Sequence, residues 1–251
     1  MQYALIDGQR CKALPKQSGH CPSCGEQTRS KCGKIIMWHW AHVSTKHCDL
    51  WWESESEWHK GWKNQFPEEF QEIIHHDVIT GEKHIADVKT DKGLVIELQH
   101  SSISIDELKS RESFYKHMVW IVDGRGFKNR FIVYPNKLPA PQTELHRDLR
   151  FNQTGSDFHF ISTDWFGSGY SKKYTREKYE WFLSKSYKGH HFFEWSHPRA
   201  TWFNTAKPVF FDFGTDELFE LQVYPEHGRH CVKIHSKLDF MQDCVGLKES
   251  S

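Results

Sequence analysis

Between His84 and Ser102 the chain reads HIADVKTDKGLVIELQHSS. Ile85, Val88, Leu94, Val95, Ile96 and Leu98 are strand formers. Asp91-Lys92-Gly93 supplies a turn between them. The pattern predicts a β-hairpin with Asp87 in its first strand and Glu97 and Gln99 in its second. Side chains two apart on a strand face the same way. Glu97 and Gln99 therefore project together, and closure at Asp91–Gly93 sets Asp87 near Glu97. Two carboxylates and an amide oxygen are hard ligands of the kind that hold Mg²⁺ or Mn²⁺. A divalent ion so held activates water and stabilises charge on a phosphate. The competing reading is an ordinary edge hairpin with a polar outer face.

A second constellation lies near the N-terminus. Cys21-Pro-Ser-Cys24-Gly25 is a CxxC in a tight turn, which lets two thiolates share one zinc ion. His39 and His42 follow in WHWAH, then Cys48. Cys21, Cys24, His42 and Cys48 are the first choice of ligands, with His39 as substitute and Cys11 and Cys32 ranked behind. Unmetallated thiols are the alternative. No thioredoxin-like pattern surrounds the pair, which argues against a redox role. A zinc here is structural, replacing a core that about 50 residues struggle to build.

The elements that must position these groups are legible in outline. Residues 51–72 predict a helix capped by Ser54 or Ser56, with Glu55, His59 and Lys63 on one face and Trp58 and Trp62 on another. A solvated ion-pair face is the bland reading of Glu55 and Lys63. Pro67 bends or ends the helix. After the hairpin, Ser104 and Glu107 form a capping box for a helix over about Ile105–His117 that carries Arg111 and Tyr115. Met118 to Gly124 then reads as a buried strand.

Lys plus Arg and Asp plus Glu both number 33, so any nucleic-acid binding has to use a local patch. Aromatic residues make up 15% of the chain, enough to bury a core despite only 37% hydrophobic residues. No stretch reaches the roughly 20 apolar residues of a membrane span, and the first residues lack a signal-peptide core. The expectation is a cytoplasmic protein with no membrane partner.

The order helix, three strands, helix, strand resembles the core of the PD-(D/E)XK nuclease superfamily. The string CPSCG, HWAH, ESEWHKGWK, IADV, IELQHSSIS, R-x3-Y and WIVD, from about residue 3 to residue 124, resembles the competence protein CoiA-like family. That resemblance implies an α/β (α+β) mixed sheet with a restriction-endonuclease-like core over 51–134. A zinc-binding module would occupy 1–50 and a β-rich extension or small lobe 135–251. It implies a Mg²⁺- or Mn²⁺-dependent nuclease acting on DNA, with RNA as a further substrate, in DNA uptake, repair or defence. Carried over by position, Glu55, His59, Asp87, Glu97 and Gln99 are catalytic, and Arg111 and Tyr115 contact nucleic acid. Asp87, Glu97 and the Leu98 carbonyl bind the ion. Gln99 stands where the superfamily usually has Lys, and an amide takes up no proton at neutral pH. A nucleic-acid-binding protein with an inactive or conditionally active core is the alternative, and a protein partner is a further possibility. Arg111 paired with Glu107 or the hairpin acids, and Tyr115 as core, are the bland readings.

Beyond Pro135–Pro141 the sequence predicts a strand over 158–163 and a helix over 175–185. Strands over 209–213 and 218–224 join about Gly214-Thr215-Asp216. A strand over 229–234 follows, with a short helix from Ser236. Arg199, Lys207 and Trp202 combine charge with a stacking surface for nucleic acid; a buried Trp202 among scattered charges is the alternative. Cys231 and Cys244 read as packing residues.

Overall fold

The computed structural model describes residues 1–33, 37–44, 48, 51, 55–135, 137–138, 140–141, 149–154, 157–162, 172–173, 189–225 and 228–245, with backbone only over 149–173. Ser54, His47 and the helix expected over 175–185 lie outside the described residues. The chain is a mixed α+β protein dominated by sheets. Two compact units emerge: residues 1–123 with 200–209 and 241–251, and residues 124–199 with 210–240. No helix among the described residues is long and apolar enough to cross a membrane.

The first unit opens with a five-stranded antiparallel sheet. Its strands are β1 (Tyr3–Ile6), β2 (Gln9–Lys12), β3 (Ser18–His20), β4 (Gln27–Lys31) and β5 (His39–His42), in the order β2-β1-β3-β4-β5. Asp7 and Gly8, at φ 49° and 80°, form the two-residue turn between β1 and β2, the geometry that Asp-Gly favours. Gly19 is forced by packing, because a Cβ there would lie 2.8 Å from the Leu5 carbonyl. One face of this sheet buries Ala4 and Trp40 against Met1 and Cys21.

The same unit continues with α1 (Glu57–Lys63), β6 (Gln71–His76), β7 (Lys83–Lys89), β8 (Val95–Gln99), α2 (Ile105–Phe114) and β9 (Met118–Asp123). Ser56 caps α1, accepting from the His59 N–H, so Glu55 stands just before the helix. Ser104 caps α2 through the Glu107 N–H. β6 pairs antiparallel with β7, β7 with β8, and β8 runs parallel to β9. The parallel pair needs a crossover, which α2 supplies. All five side chains of β8 and the first five of β9 are buried. That burial suits the continuous apolar run of β9 and takes Glu97 and Gln99 of β8 into the interior.

Segment 200–209 belongs to this unit through particular groups. Trp202 is 1% exposed and meets Trp120 edge to face at 5.6 Å. The Trp120 N–H donates to the Pro208 carbonyl. Trp202 is therefore core, which removes the stacking surface expected of it. Lys207 donates to the Lys116 carbonyl.

In the second unit, β10 (Phe131–Val133), β14 (His190–Trp195), β17 (Arg229–Ser236) and β16 (Glu217–Tyr224) pair antiparallel in that order, followed by β15 (Val209–Asp212). A separate three-stranded sheet comprises β11 (Leu149–Thr154), β12 (Asp157–Ser162) and β13 (Lys172–Lys173). Phe127, Phe131, Phe193, Trp195, Phe211 and Phe213 make up an aromatic core, with Phe127 stacked on Trp195 and Phe131 on Phe193. Arg199 lies over Phe127. α3 (Lys237–Val245) follows β17. Burial pushes the Cys231 thiol up to about 12 and the Cys244 thiol up to about 11.

Glu112 ties segment 200–209 to α2. Its carboxylate accepts from Trp120 Nε1 at 3.1 Å, from the Ala206 N–H at 2.9 Å and from Thr205 Oγ1. Glu112→Ala takes this acceptor from the buried Trp120 Nε1–H and from the Ala206 N–H, while Thr205 keeps the Lys207 carbonyl. The expected loss is roughly 2–3 kcal/mol of unfolding free energy, read as a lower urea midpoint at unchanged slope.

Candidate functional site

The Cys/His module resolves by strand alternation. His42 points to the same face of β5 as Trp40, whereas His39 is on the opposite face, its Nδ1 2.7 Å from the Met37 carbonyl. Cys21, Cys24, His42 and Cys48 form the cluster, with one ligand atom of each lying within 4.8 Å of the others. Cys24 Sγ and His42 Nε2 are 3.4 Å apart. Atoms bound to one tetrahedral zinc at about 2.0–2.3 Å lie roughly 3.5–3.8 Å from each other, so the cluster fits structural zinc. His39 and Cys32 stay outside it. The Cys48 side chain holds the Cys21 thiol down at about 4, against the effect of its burial, while burial raises Cys24.

The second cluster is a pocket lined by Glu55, His59, Lys63, Glu72, Asp87, Glu97, Leu98 and Arg111, with Met1, Trp51 and Ile85. The hairpin explains its centre. Val88 pairs with Ile96, so Asp87 is opposite Glu97. Gly93, at φ 76°, closes the turn by donating to the Thr90 carbonyl. Asp87 Oδ2 accepts from the Leu98 N–H at 2.9 Å. The Leu98 carbonyl is 2.6 Å from His59 Nε2. A carbonyl can only accept, so Nε2 carries the proton and Nδ1 faces Ser56 Oγ at 3.1 Å.

Two buried cations balance the acids. Lys63, on α1, is ion-paired with Glu55 at 2.6 Å and Glu72 at 2.8 Å. Burial works against its charge, but Glu72, Glu55 and Asp87 outweigh it and raise the ammonium above its ordinary value. Arg111 reaches Glu97 at 3.1 Å, bonds Glu107 one helical turn away, and donates to the Trp51 carbonyl. Burial opposes its charge and the two glutamates restore it.

Glu72 is the least legible member. It has a left-handed φ of 46°, which costs a non-glycine residue about 1–2 kcal/mol. Its carboxylate accepts from the Gln2 N–H at 2.7 Å and the Tyr3 N–H at 3.2 Å as well as from Lys63. It thereby fixes β1 to the pocket wall. Burial alone would raise its carboxyl, yet Lys63 brings it down to about 2.

Glu55, His59, Asp87, Glu97, Leu98 and Arg111 are thus brought together. Gln99 and Tyr115 are not part of the pocket lining. Gln99 is 1% exposed and donates to Ser101 Oγ at 3.2 Å. Tyr115 is 2% exposed and packs among Trp51, His75 and Phe114. Lys63 was signalled by its spacing from Glu55 and His59; Glu72 sits in a polar run, QFPEEFQE, without any distinguishing pattern.

Residues 6–50 match the family model described as competence protein CoiA, N-terminal domain, and all four clustered ligands fall within the match. The match supports a CoiA-like family. Neither the curated proteins nor the solved structures contain a match.

Three outcomes follow from this geometry. Cys24→Ala abolishes bound zinc by elemental analysis and lowers the melting temperature, whereas His39→Ala keeps one zinc per chain. Lys63→Met strands two buried carboxylates and costs about 3–5 kcal/mol, measured by denaturant unfolding. Glu72 has a folded value of about 2 against an ordinary 4.5. Its contribution is full above 4.5 and is lost as pH falls toward 2. Glu72→Gln accordingly flattens the acid limb of stability against pH in that window.

Proposed function

We propose that the chain is a metal-dependent nuclease of a CoiA-like family, serving a competence-related function in which it processes nucleic acid. The observation that carries this reading is the placement of Asp87 opposite Glu97, with the Leu98 carbonyl beside them, in a pocket that also holds two buried cations. The order α1, β6, β7, β8, α2, β9 supports a PD-(D/E)XK-like core.

The donor set suits a hard divalent cation. Asp87 uses Oδ2 for the Leu98 N–H, which leaves Oδ1 as a ligand, and Glu97 and the Leu98 carbonyl are further hard oxygens. Asp87, Glu97 and Leu98 would hold Mg²⁺ or Mn²⁺. Such an ion, when bound, supplies an activated water and charge stabilisation at phosphorus. The protein's own groups do the rest. Lys63 keeps its ammonium and offers positive charge to a phosphodiester. Arg111 reaches Glu97 through Nη1 alone, while Nε and Nη2 hold Glu107, and can exchange the Glu97 carboxylate for a phosphate oxygen. His59 anchors the Leu98 carbonyl and fixes the end of β8.

Binding without cleavage is the second reading. Gln99 favours it, because its amide nitrogen is directed to Ser101 and offers no ammonium beside the carboxylates. Incubation with single-stranded and double-stranded DNA and with RNA, in Mg²⁺ or Mn²⁺, separates the two. The parent cleaves and Asp87→Ala falls to background with its fold kept. Equal cleavage by both places the reaction elsewhere. Salt-sensitive binding without cleavage in either metal selects the second reading.

A further inference from the structure

The five-stranded zinc-bearing sheet has a second face that the pocket does not use. Strand alternation and register identify it. Arg29 pairs with Ser18 on one side and Ala41 on the other, Lys31 with His39, and Gln27 with His20. Ser18, His20, Gln27, Arg29 and Lys31 are exposed, and His39 and Ala41 are half-buried. Thr28, Trp40 and the zinc ligand His42 point the other way into the core.

The five strands contribute no acid to this face, and Glu68, from outside the sheet, meets it only at Lys12. Residues 1–50 hold seven Lys and Arg (Arg10, Lys12, Lys16, Arg29, Lys31, Lys34, Lys46) against three acids (Asp7, Glu26, Asp49), a surplus of four in a chain whose net charge is zero. On the same face, Arg10 and Lys12 are engaged within the protein, by the Glu68 and Gln71 carbonyls and by the Glu68 carboxylate. Arg29 and Lys31 form no ion pair with any described residue. They stand two residues apart on one strand, about 7 Å along it, which is on the scale of successive phosphates in an extended strand. Trp38 lies where the β4–β5 connection enters β5, at the same end as the Lys31–His39 pair. It is 47% exposed, and its ring is held by Nε1 donating to the Gly33 carbonyl at 3.2 Å. An exposed indole held at the end of a strand pair that carries two unpaired cations is a combination suited to a single strand, with a base stacking and phosphates paired.

We infer that this face of the zinc-bearing sheet, through Arg29, Lys31 and Trp38, is a binding surface for a single nucleic-acid strand, separate from the carboxylate pocket. Its choice of ligand rests on the nuclease reading; its geometry does not. Zinc held by the cluster would anchor β5 through His42, from the opposite face.

The test is fluorescence anisotropy of the full chain with a labelled single-stranded DNA oligonucleotide across a salt series. Arg29→Glu/Lys31→Glu raises Kd at least about tenfold and lowers the slope of log K against log salt by roughly 1.4, two phosphate contacts on a single strand. Trp38→Ala weakens the single strand, and a duplex of the same sequence binds the parent less tightly. Zinc content and melting temperature are unchanged in these variants. An unchanged Kd and slope in the double variant overturns the inference, as does a parent that fails to bind or that prefers the duplex. Weakened binding in the double variant, with no cleavage by the parent, upholds this surface while the nuclease reading fails. Unaltered binding with intact, Asp87-dependent cleavage does the reverse.

Discussion

A buried ammonium surrounded by carboxylates is the constraint on which the first unit depends. Isolated, Lys63 could not stay charged at 3% side-chain exposure. Without Lys63, burial would push the Glu72 carboxyl up and the acids around it would repel one another. Together they form a network in which each charge makes the others tolerable. The network also joins pieces distant in sequence: the start of α1, its last turn, β6 and β7. Through Glu72 it extends to the Gln2 and Tyr3 N–H groups. The left-handed backbone at Glu72 persists because Lys63 and two backbone donors over-determine its position.

The N-terminal sheet solves a different problem. Its apolar cluster is small, built on Met1, Ala4, Ala13, Cys21 and Trp40. Four ligands drawn from a tight turn, a strand and the segment beyond it supply the cross-linking that so few apolar side chains cannot. The division of labour across the sheet follows from the alternation of its strands. Thr28, Trp40 and His42 serve the inside, and Arg29, Lys31 and His39 are left for the outside. A metal site on one face therefore fixes the geometry of a charged surface on the other.

Aromatic residues serve mainly as core. Trp120 and Trp202 fill the first unit around Glu112, while the second unit packs six Phe and Trp rings within about 4.5–6.5 Å of their neighbours. A chain with a modest aliphatic content reaches adequate burial this way, since each ring removes a large apolar area from water. The same economy explains why Tyr115, at a position where resemblance implied contact with nucleic acid, lies inside an aromatic group.

Local pattern determined the pieces. Period-two alternation and Asp91-Lys92-Gly93 specified the hairpin and set Asp87 against Glu97, because register in a hairpin follows from its turn. Caps at Ser56 and Ser104, and Asp7-Gly8, specified helix starts and the first turn, which are interactions within a few residues. CxxC and the spacing to Cys48 ranked His42 ahead of His39, and the parity of β5 in the folded sheet settled it. What tertiary structure alone decided are the partners of long side chains. Arg111, beyond the Glu107 pairing that its i, i+4 spacing offered, reached Glu97, Gln99 turned to Ser101, and Trp202 went inside. The membership of Glu72 came from a residue 70 positions from its acceptor-bound Gln2 N–H. Such choices depend on which charges meet when distant segments are buried together, and no spacing along the chain encodes that.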